Sequence, residues 1–205
     1  MAYYVRVLAE SDAVVPAGKL RARLRRESID AVLEVADGSD DEWVVLELRH
    51  GDGDHIAVIE RNPVRPGELG ADEIAEFIEE VADLQPTSAA RWLAQYLTTV
   101  KAIYAFQILS GVDDGDGWKA VQAMKGELWG RLGGVFQADR EGFSNTDGYH
   151  ILWQFPDDVR GSWNMAVLEP DGAWTPFEMD LGNPLHRAAF RAGQVPETAR
   201  RLVPK

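Results

Sequence analysis

The stretch Trp43–Arg61, WVVLELRHGDGDHIAVIER, decides the class of fold. Its two ends, Trp43–His50 and His55–Arg61, are rich in β-branched and aromatic residues, which pack well on the pleated surface of a sheet. Between them, the Asp-Gly pair at 52–53 is a strong signal for a tight turn between antiparallel strands. The stretch therefore predicts a β-hairpin, and Ile29–Ala36 before it predicts a third antiparallel strand.

A pair of helices is predicted next in the chain. In Ala71–Leu84, apolar residues recur at steps of three and four while acidic residues cover the rest, which is typical of a helix with one core face and one solvated face. After Pro86, a second apolar stripe predicts another helix, and we expect both helices to present one helical-hairpin face to the sheet. The residues of this face are Ile74, Phe77, Ile78, Val81, Trp92, Leu93, Tyr96 and Leu97.

The remaining segments follow the same rules of periodicity and capping. Further strands are predicted at 3–9, 135–138, 149–155, 163–169 and 174–179, and further helices at 19–26 and 116–132 and after Asn183, with Trp118 on the apolar face of the second of these helices. Asn183 is placed as an N-cap, with Pro184 at the first helical position and Gly193 just past the end. Residues 102–110 are compatible with a strand or with a continued helix. The fold class is therefore α+β, with a largely antiparallel sheet and packed helices.

The two halves of the chain resemble each other in the order of their elements. Each reads strand, helix and three strands, so we expect residues 3–61 and 104–169 to superpose. The alternative is that β-branched strands resemble one another by composition alone. The chain is interpreted as one compact unit over residues 1–205, with a repeat at 1–70 and 102–182 joined by the helical hairpin 71–101.

Composition bounds the class of protein. The chain has 205 residues, of which 45% are hydrophobic, so it can bury a sizeable core. It contains no cysteine, which excludes disulfides, zinc–thiolate sites and thiol nucleophiles. The N-terminus has no basic region followed by a long apolar stretch, and the apolar run near 100–109 is too short to span a bilayer. These features predict a cytoplasmic protein with no membrane contact.

The negative charge is concentrated in one segment. The net charge is −13, and residues 28–85 carry 17 acidic residues against three arginines. Such a field repels nucleic acid and anionic membranes and favours cationic partners, although it also serves solubility alone. The basic helix at 19–26 is interpreted as docking against the acidic helix 72–83, within the chain or across a dimer, in preference to nucleic-acid contact.

Motifs for catalysis and metal binding are weak or absent. The sequence has no Gly-x-Ser-x-Gly elbow, no phosphate-binding loop and no EF-hand spacing around Gly117 or Gly148. His50 and His55 flank a turn and could share a metal ion, but two histidines at an exposed hairpin end are more often only polar. We therefore expect no metal and no cofactor, and a non-enzymatic role is favoured over an enzymatic one.

Two functions are carried forward. The leading interpretation is a non-enzymatic binding protein of the inhibitor, immunity or adaptor type, a monomer or homodimer, whose acidic surface around Glu76 and Glu80 meets a cationic protein. The alternative is a small-ligand site or a hydrolase-like enzyme in the second half, within the loop that follows residue 138 and the apolar run after it. The candidate residues of this second site are Asp139, Glu141, Asn145, Asp147 and Trp153. The same loop is also explained as a surface bend between two strands.

Overall fold

The structure is a computed structural model that describes residues 3–51 and 53–203. Asp52, half of the predicted Asp-Gly turn, lies outside the described residues. The α-helices of the described chain are α1 (Ala17–Arg26), α2 (Leu69–Val81), α3 (Thr87–Leu97), α4 (Gly117–Leu132) and α5 (Pro184–Arg191). The strands are β1 (Tyr3–Ala9), β2 (Val32–Gly38), β3 (Trp43–Arg49), β4 (His55–Pro63), β5 (Ala102–Ile108), β6 (Val135–Ala138), β7 (Gly142–Phe143), β8 (Ser162–Leu168), β9 (Trp174–Asp180) and β10 (Arg200–Arg201).

These strands form a larger sheet of seven, β1 to β7, and a smaller sheet of three, β8 to β10. The pairs β1–β5, β2–β3, β3–β4, β4–β5, β6–β7, β8–β9 and β9–β10 are antiparallel, which confirms the predicted α+β class. The chain divides into two compact units. The first unit is Met1–Asp72 with Val100–Gly134, and the second is Glu73–Thr99 with Val135–Lys205. The interpretation of residues 1–205 as one compact unit stays a prediction.

The first unit contains five strands in the order β2-β3-β4-β5-β1, and β2 is a terminal strand of the larger sheet. The predicted hairpin is β3–β4, with Leu46 opposite Ile59 and Leu48 opposite Ala57. All four side chains are buried, because residues two apart on a strand share a face. Residues 102–110, whose sequence is compatible with either a strand or a continued helix, contain the strand β5.

Helix α1 packs through Ala17, Leu20 and Leu24, which are buried. Three of its arginines, Arg21, Arg23 and Arg26, find partners inside the first unit. Arg21 pairs with Asp40 at 2.6 Å, and Arg26 approaches the carboxylate of Glu127 on α4 at 3.4 Å. Carboxylates of its own unit therefore meet much of the charge of this helix. The docking against the acidic helix 72–83, within the chain or across a dimer, stays a prediction.

In the second unit, the predicted helical-hairpin face is mostly buried. Phe77 of α2 meets Phe143 of β7 edge-on, with ring centroids 5.4 Å apart. Trp92 of α3 stacks on Tyr96 at 5.0 Å and meets Trp174 of β9 edge-on at 5.1 Å. The buried members of the face are Ile74, Phe77, Val81, Leu93 and Leu97, and the partly buried ones are Ile78, Trp92 and Tyr96.

Strands β8 and β9 and helix α5 share a hydrophobic cluster in the second unit. Its buried members are Trp153, Phe155, Met165, Val167, Phe177, Met179, Leu181 and Phe190. Helix α5 begins as predicted, because the Asn183 side chain accepts a hydrogen bond from the backbone N–H of Leu185 at 2.9 Å. Pro184 opens the helix, and Gly193 follows its end with a φ of 75°, a conformation that favours glycine.

Two local predictions are wrong. Residues 149–155 form no strand; His150 makes only isolated bridges to Ser144 and Met165. The apolar content of this segment reflects burial in an irregular, extended stretch, which periodicity alone does not separate from a strand. Trp118, expected on the apolar face of α4, is 40% exposed, and its indole N–H donates to Asp113 at 3.0 Å.

The strand arrangement differs between residues 3–61 and 104–169. In the first segment, β2, β3 and β4 are consecutive neighbours in one sheet. In the second, β6 belongs to the larger sheet, whereas β8 pairs with β9 in the smaller one. The prediction that the two segments superpose is therefore wrong, since similar strand composition does not imply the same pairing. A common origin of the repeat at 1–70 and 102–182 stays a prediction.

Candidate functional site

Helix α2 separates its apolar and acidic residues by face. Ile74, Phe77 and Val81, at steps of three and four, are buried. Those contacts orient the helix, so the side that holds Glu76, Glu79 and Glu80 faces solvent. Four exposed carboxylates follow one another there and just past the end of the helix, and we call them the acidic face of α2. They are Glu76, Glu79, Glu80 and Asp83.

The acidic face of α2 is not neutralised within the described chain. Glu76, Glu79 and Asp83 form no ion pair with any described residue. Glu80 accepts a hydrogen bond at 2.6 Å from the side-chain amide of Gln154, which is a neutral donor. The four carboxylates therefore have no cation from the described residues to offset their negative charge.

The position of these carboxylates on the helix is electrostatically unfavourable. A helix C-terminus carries partial negative charge, which stabilises cations and destabilises anions by about 0.3–1 kcal/mol each. The last turn of α2 holds Glu79 and Glu80 and contains no basic residue. Glu76 and Glu80 are also one turn apart, a spacing at which like charges repel. This part of the helix carries a local cost that a nearby cation would remove.

Acidic residues of the first unit are partly neutralised. Asp40, Asp41 and Glu42, in the bend between β2 and β3, are exposed. Asp40, however, pairs with Arg21, and Glu34 on β2 pairs with Arg49. The acidic surface of this unit therefore carries less uncompensated charge than its sequence suggests.

Asn145, a predicted binding residue, serves the backbone of its own loop. It is fully buried, and its Oδ1 accepts hydrogen bonds from the backbone N–H groups of Asp147 and Tyr149, both at 3.0 Å. An asparagine that bonds its own chain two residues on forms an Asx turn. The side chain of Asp147 is half-buried at the same turn. The polar residues 145–147 thus have a structural role in this bend.

Trp153, the aromatic member of the predicted second site, belongs to the core of the second unit. It is 7% exposed and lies edge-on to Phe155, with ring centroids 5.4 Å apart. The guanidinium groups of Arg187 and Arg191 lie over its ring, at 5.3 and 4.9 Å from the centroid. These cation–π contacts join α5 to the core and use the ring faces that an aromatic ligand would need.

The other predicted members of the second site lie in the same bend. The Asp139 carboxylate accepts a hydrogen bond from the Gln137 amide at 3.4 Å, and Glu141 is half-buried. Sequence reasoning missed Arg187, Arg191 and Gln154, which are the side chains that contact Trp153 and Glu80. No local motif marks them, because their roles depend on contacts distant in the sequence.

Two carboxylates with lowered pKa values lie in ion-pair networks. Burial alone would raise the pKa of Glu127, but its hydrogen bond with Arg131 and the charges of Arg131, Arg26 and Arg23 outweigh it and lower the pKa. The hydrogen bond from Ser162, and then the bond and charge of Arg200, lower the pKa of Glu178. Both networks join neighbouring elements, α1 to α4 and β9 to β10, and so act on stability.

The described residues contain no group of three or more histidine or carboxylate side chains placed to hold a metal ion. None of the helices in residues 3–51 and 53–203 is long and apolar enough to cross a membrane.

No protein family model matches the sequence, no curated protein is significantly similar to it, and no solved structure matches its fold significantly.

Proposed function

We propose that the protein is a non-enzymatic binding protein whose acidic face of α2 engages a cationic surface of another protein. The observation that carries the proposal is a row of exposed carboxylates, at the unfavourable end of a helix dipole, that no cation among the described residues neutralises. A basic partner would relieve the repulsion among them. Selection for stability alone favours basic residues in a last helical turn, so acidic ones there suggest a role in binding.

The alternative, a small-ligand or hydrolase-like site around 139–153, has less support. Asn145 is occupied by its Asx turn, and Trp153 is covered by its core neighbours and two arginines. The Asn145 Nδ2 and the Trp153 Nε1 are buried without a hydrogen-bond partner among the described residues, so the stability of the second unit explains the packing of these residues but not these two polar atoms. As a protein-binding module of this kind, the chain would act in the cytoplasm, as its lack of cysteine allows.

The test compares capture by three immobilised forms of the full chain. These are the wild type, the double reversal Glu76→Lys/Glu80→Lys and the control Asp158→Lys/Glu197→Lys, which changes the net charge equally at exposed sites of the same unit. Each form is incubated with lysate from the source cells at low salt and at 0.5 M salt, and captured proteins are quantified by mass spectrometry.

We expect a basic protein that is retained by the wild type and by the control, and lost with the α2 reversal and at high salt. Charges act across about 8–10 Å at physiological ionic strength, so exposed pairs weaken as salt rises. With the purified partner, the reversal should lower the association rate more than it raises the dissociation rate. Equal loss with both double variants would show a general effect of net charge and would contradict a specific α2 surface.

A further inference from the structure

We propose that the groove between α1 and the edge strand β2 binds an acidic, extended segment of another protein, which adds to β2 as a new strand. The groove has a volume of about 370 Å³. It is lined on one side by Arg21, Leu24 and Arg25 of α1 with Ile29 beyond it, and on the other by residues 31–34. It lies within the first unit, so the inference does not rest on the acidic face of α2.

The backbone of β2 is suited to strand addition. β2 is terminal in its sheet and pairs with β3 on its other side. The Leu33 carbonyl accepts a hydrogen bond from Nε of Arg21 at 2.8 Å, so it points away from β3. Because the N–H and C=O of one residue share an edge in an antiparallel strand, the N–H of Leu33 and both groups of Val35 point the same way. An incoming strand would bond to these groups, as in β-augmentation.

The register limits the length of the segment that can pair. Pairing of β2 with β3 is regular from Val32 to Val35 and then shifts, which interrupts the straight edge. The stretch 31–35 therefore matches a segment of about four to six residues. The Leu33 carbonyl has two lone pairs, so it can hold Arg21 and accept from a peptide N–H at the same time.

The side chains of the groove define the chemistry of the occupant. Leu24, Ile29 and Leu33 form an apolar floor, and an apolar residue of the segment would cover it. Arg25 is exposed and forms no ion pair with any described residue, while the one ion pair of Arg21 among the described residues is with Asp40, whose side chain is 58% exposed. The carboxylate of Glu34, which also lines the groove, is paired with Arg49. A carboxylate of the segment would pair with the exposed guanidinium group of Arg25.

The same charges argue against a second copy of the chain as the occupant. Edge-to-edge pairing of two β2 strands would bring α1 near its own copy, and α1 carries Lys19, Arg21, Arg23, Arg25 and Arg26 within eight residues. Like charges brought together across an interface are unfavourable. An acidic segment meets the groove with opposite charge instead.

The probe is an acetylated, amidated octapeptide that alternates valine with aspartate or glutamate, titrated into the ¹⁵N-labelled full chain. A lysine counterpart serves as the charge control. We expect amide shifts at Leu33, Val35 and Arg25, and about tenfold slower amide exchange at Leu33 and Val35 once the probe is bound. Arg25→Glu should raise the Kd at least about tenfold, because it replaces an attractive charge with a repulsive one. Lys19→Glu, the same charge change on the same helix, should stay within about threefold.

Two N-methylated probes test the pairing itself without altering the protein. Each probe carries N-methyl groups on one set of alternate residues. Only the probe methylated at the residues whose N–H groups face β2 should lose binding. Binding of the lysine peptide equal to the acidic one, retention of both methylated probes, or shifts that avoid β2 would each overturn the proposal. So would a concentration-dependent dimer with perturbed Leu33 and Val35 amides in the absence of peptide, since a second copy would then cover the edge.

Discussion

Replacing Glu80 by lysine should stabilise the protein while weakening the proposed binding. Three favourable changes follow from the geometry of α2. Reversing a charge in the last turn gains about 0.3–1 kcal/mol from the helix dipole. Removing the repulsion between Glu76 and residue 80 gains about 0.2–0.5 kcal/mol, and the new Glu–Lys pair at that spacing gains a similar amount. The exposed hydrogen bond to Gln154 is lost, which costs about 0.5–1 kcal/mol.

The gains sum to about 0.7–2 kcal/mol and the loss is about 0.5–1 kcal/mol, so the central expectation is a stabilisation of about 0.6 kcal/mol, or about 1–2 °C in Tm for a chain of this length. Chemical denaturation followed by tryptophan fluorescence measures it, with Glu80→Gln and Asp158→Lys as controls. Glu80→Gln removes the charge but keeps an oxygen that can accept from Gln154, so it should stabilise the protein about as much as Glu80→Lys does. Asp158→Lys, outside any helix, should change stability by less than about 0.5 kcal/mol. A Glu80→Lys variant that is less stable than wild type would refute the argument that α2 carries unrelieved repulsion.

Three further predictions concern the fold. Glu127→Gln should lower the free energy of unfolding by about 1–2 kcal/mol at pH 7, since a charged acceptor for Arg131 becomes neutral. The pKa of Glu127 is lowered below 4.5 in the folded state, so this stability is present above pH 4.5 and is lost as the pH falls. The difference from wild type in urea unfolding should therefore shrink toward pH 3, and a difference that stays constant would exclude the ionised carboxylate as its source. Phe77→Ala should cost about 3–5 kcal/mol in the same assay, because it leaves a cavity and removes the edge-on contact with Phe143; a loss under about 1 kcal/mol would mean that this face is not core. Asn183→Ala should cost about 1 kcal/mol through loss of the α5 N-cap, whereas Asn183→Asp should retain most of the stability, and equal losses would argue against capping.

The sequence was most informative where periodicity and turn chemistry agreed. The hairpin β3–β4 and the apolar stripe of α2 were both predictable, since residues two apart on a strand and three or four apart on a helix share a face. The start of α5 was predictable because Asn183 and Pro184 each have a local role that needs no tertiary contact. Such signals depend only on residues close together in the sequence, so the sequence alone reveals them.

Pairing between distant segments was less predictable. Residues 149–155 alternate much as a strand does, yet their backbone bonds go to several places, including Trp153 N–H to the Gln85 carbonyl at 3.0 Å. The Asn-x-Asp-Gly stretch at 145–148 is compatible with a polar turn and with a set of ligands, because a buried polar turn and a polar binding site share the same residues. The choice between them depends on which backbone groups the side chain meets.

The sequence also does not reveal which carboxylates are neutralised by ion pairs, and this decides which surface can bind a cationic partner. Summed over residues 28–85, the sequence indicates one strongly acidic segment. In the structure, Glu34 and Asp40 are paired with Arg49 and Arg21, whereas Glu76 and Glu79 on α2 have no such cation among the described residues. An exposed carboxylate attracts a partner only to the extent that its own chain leaves it uncompensated. The pattern of ion pairs within the chain therefore decides which surface to test for binding. That surface is the acidic face of α2, not the acidic segment 28–85 as a whole.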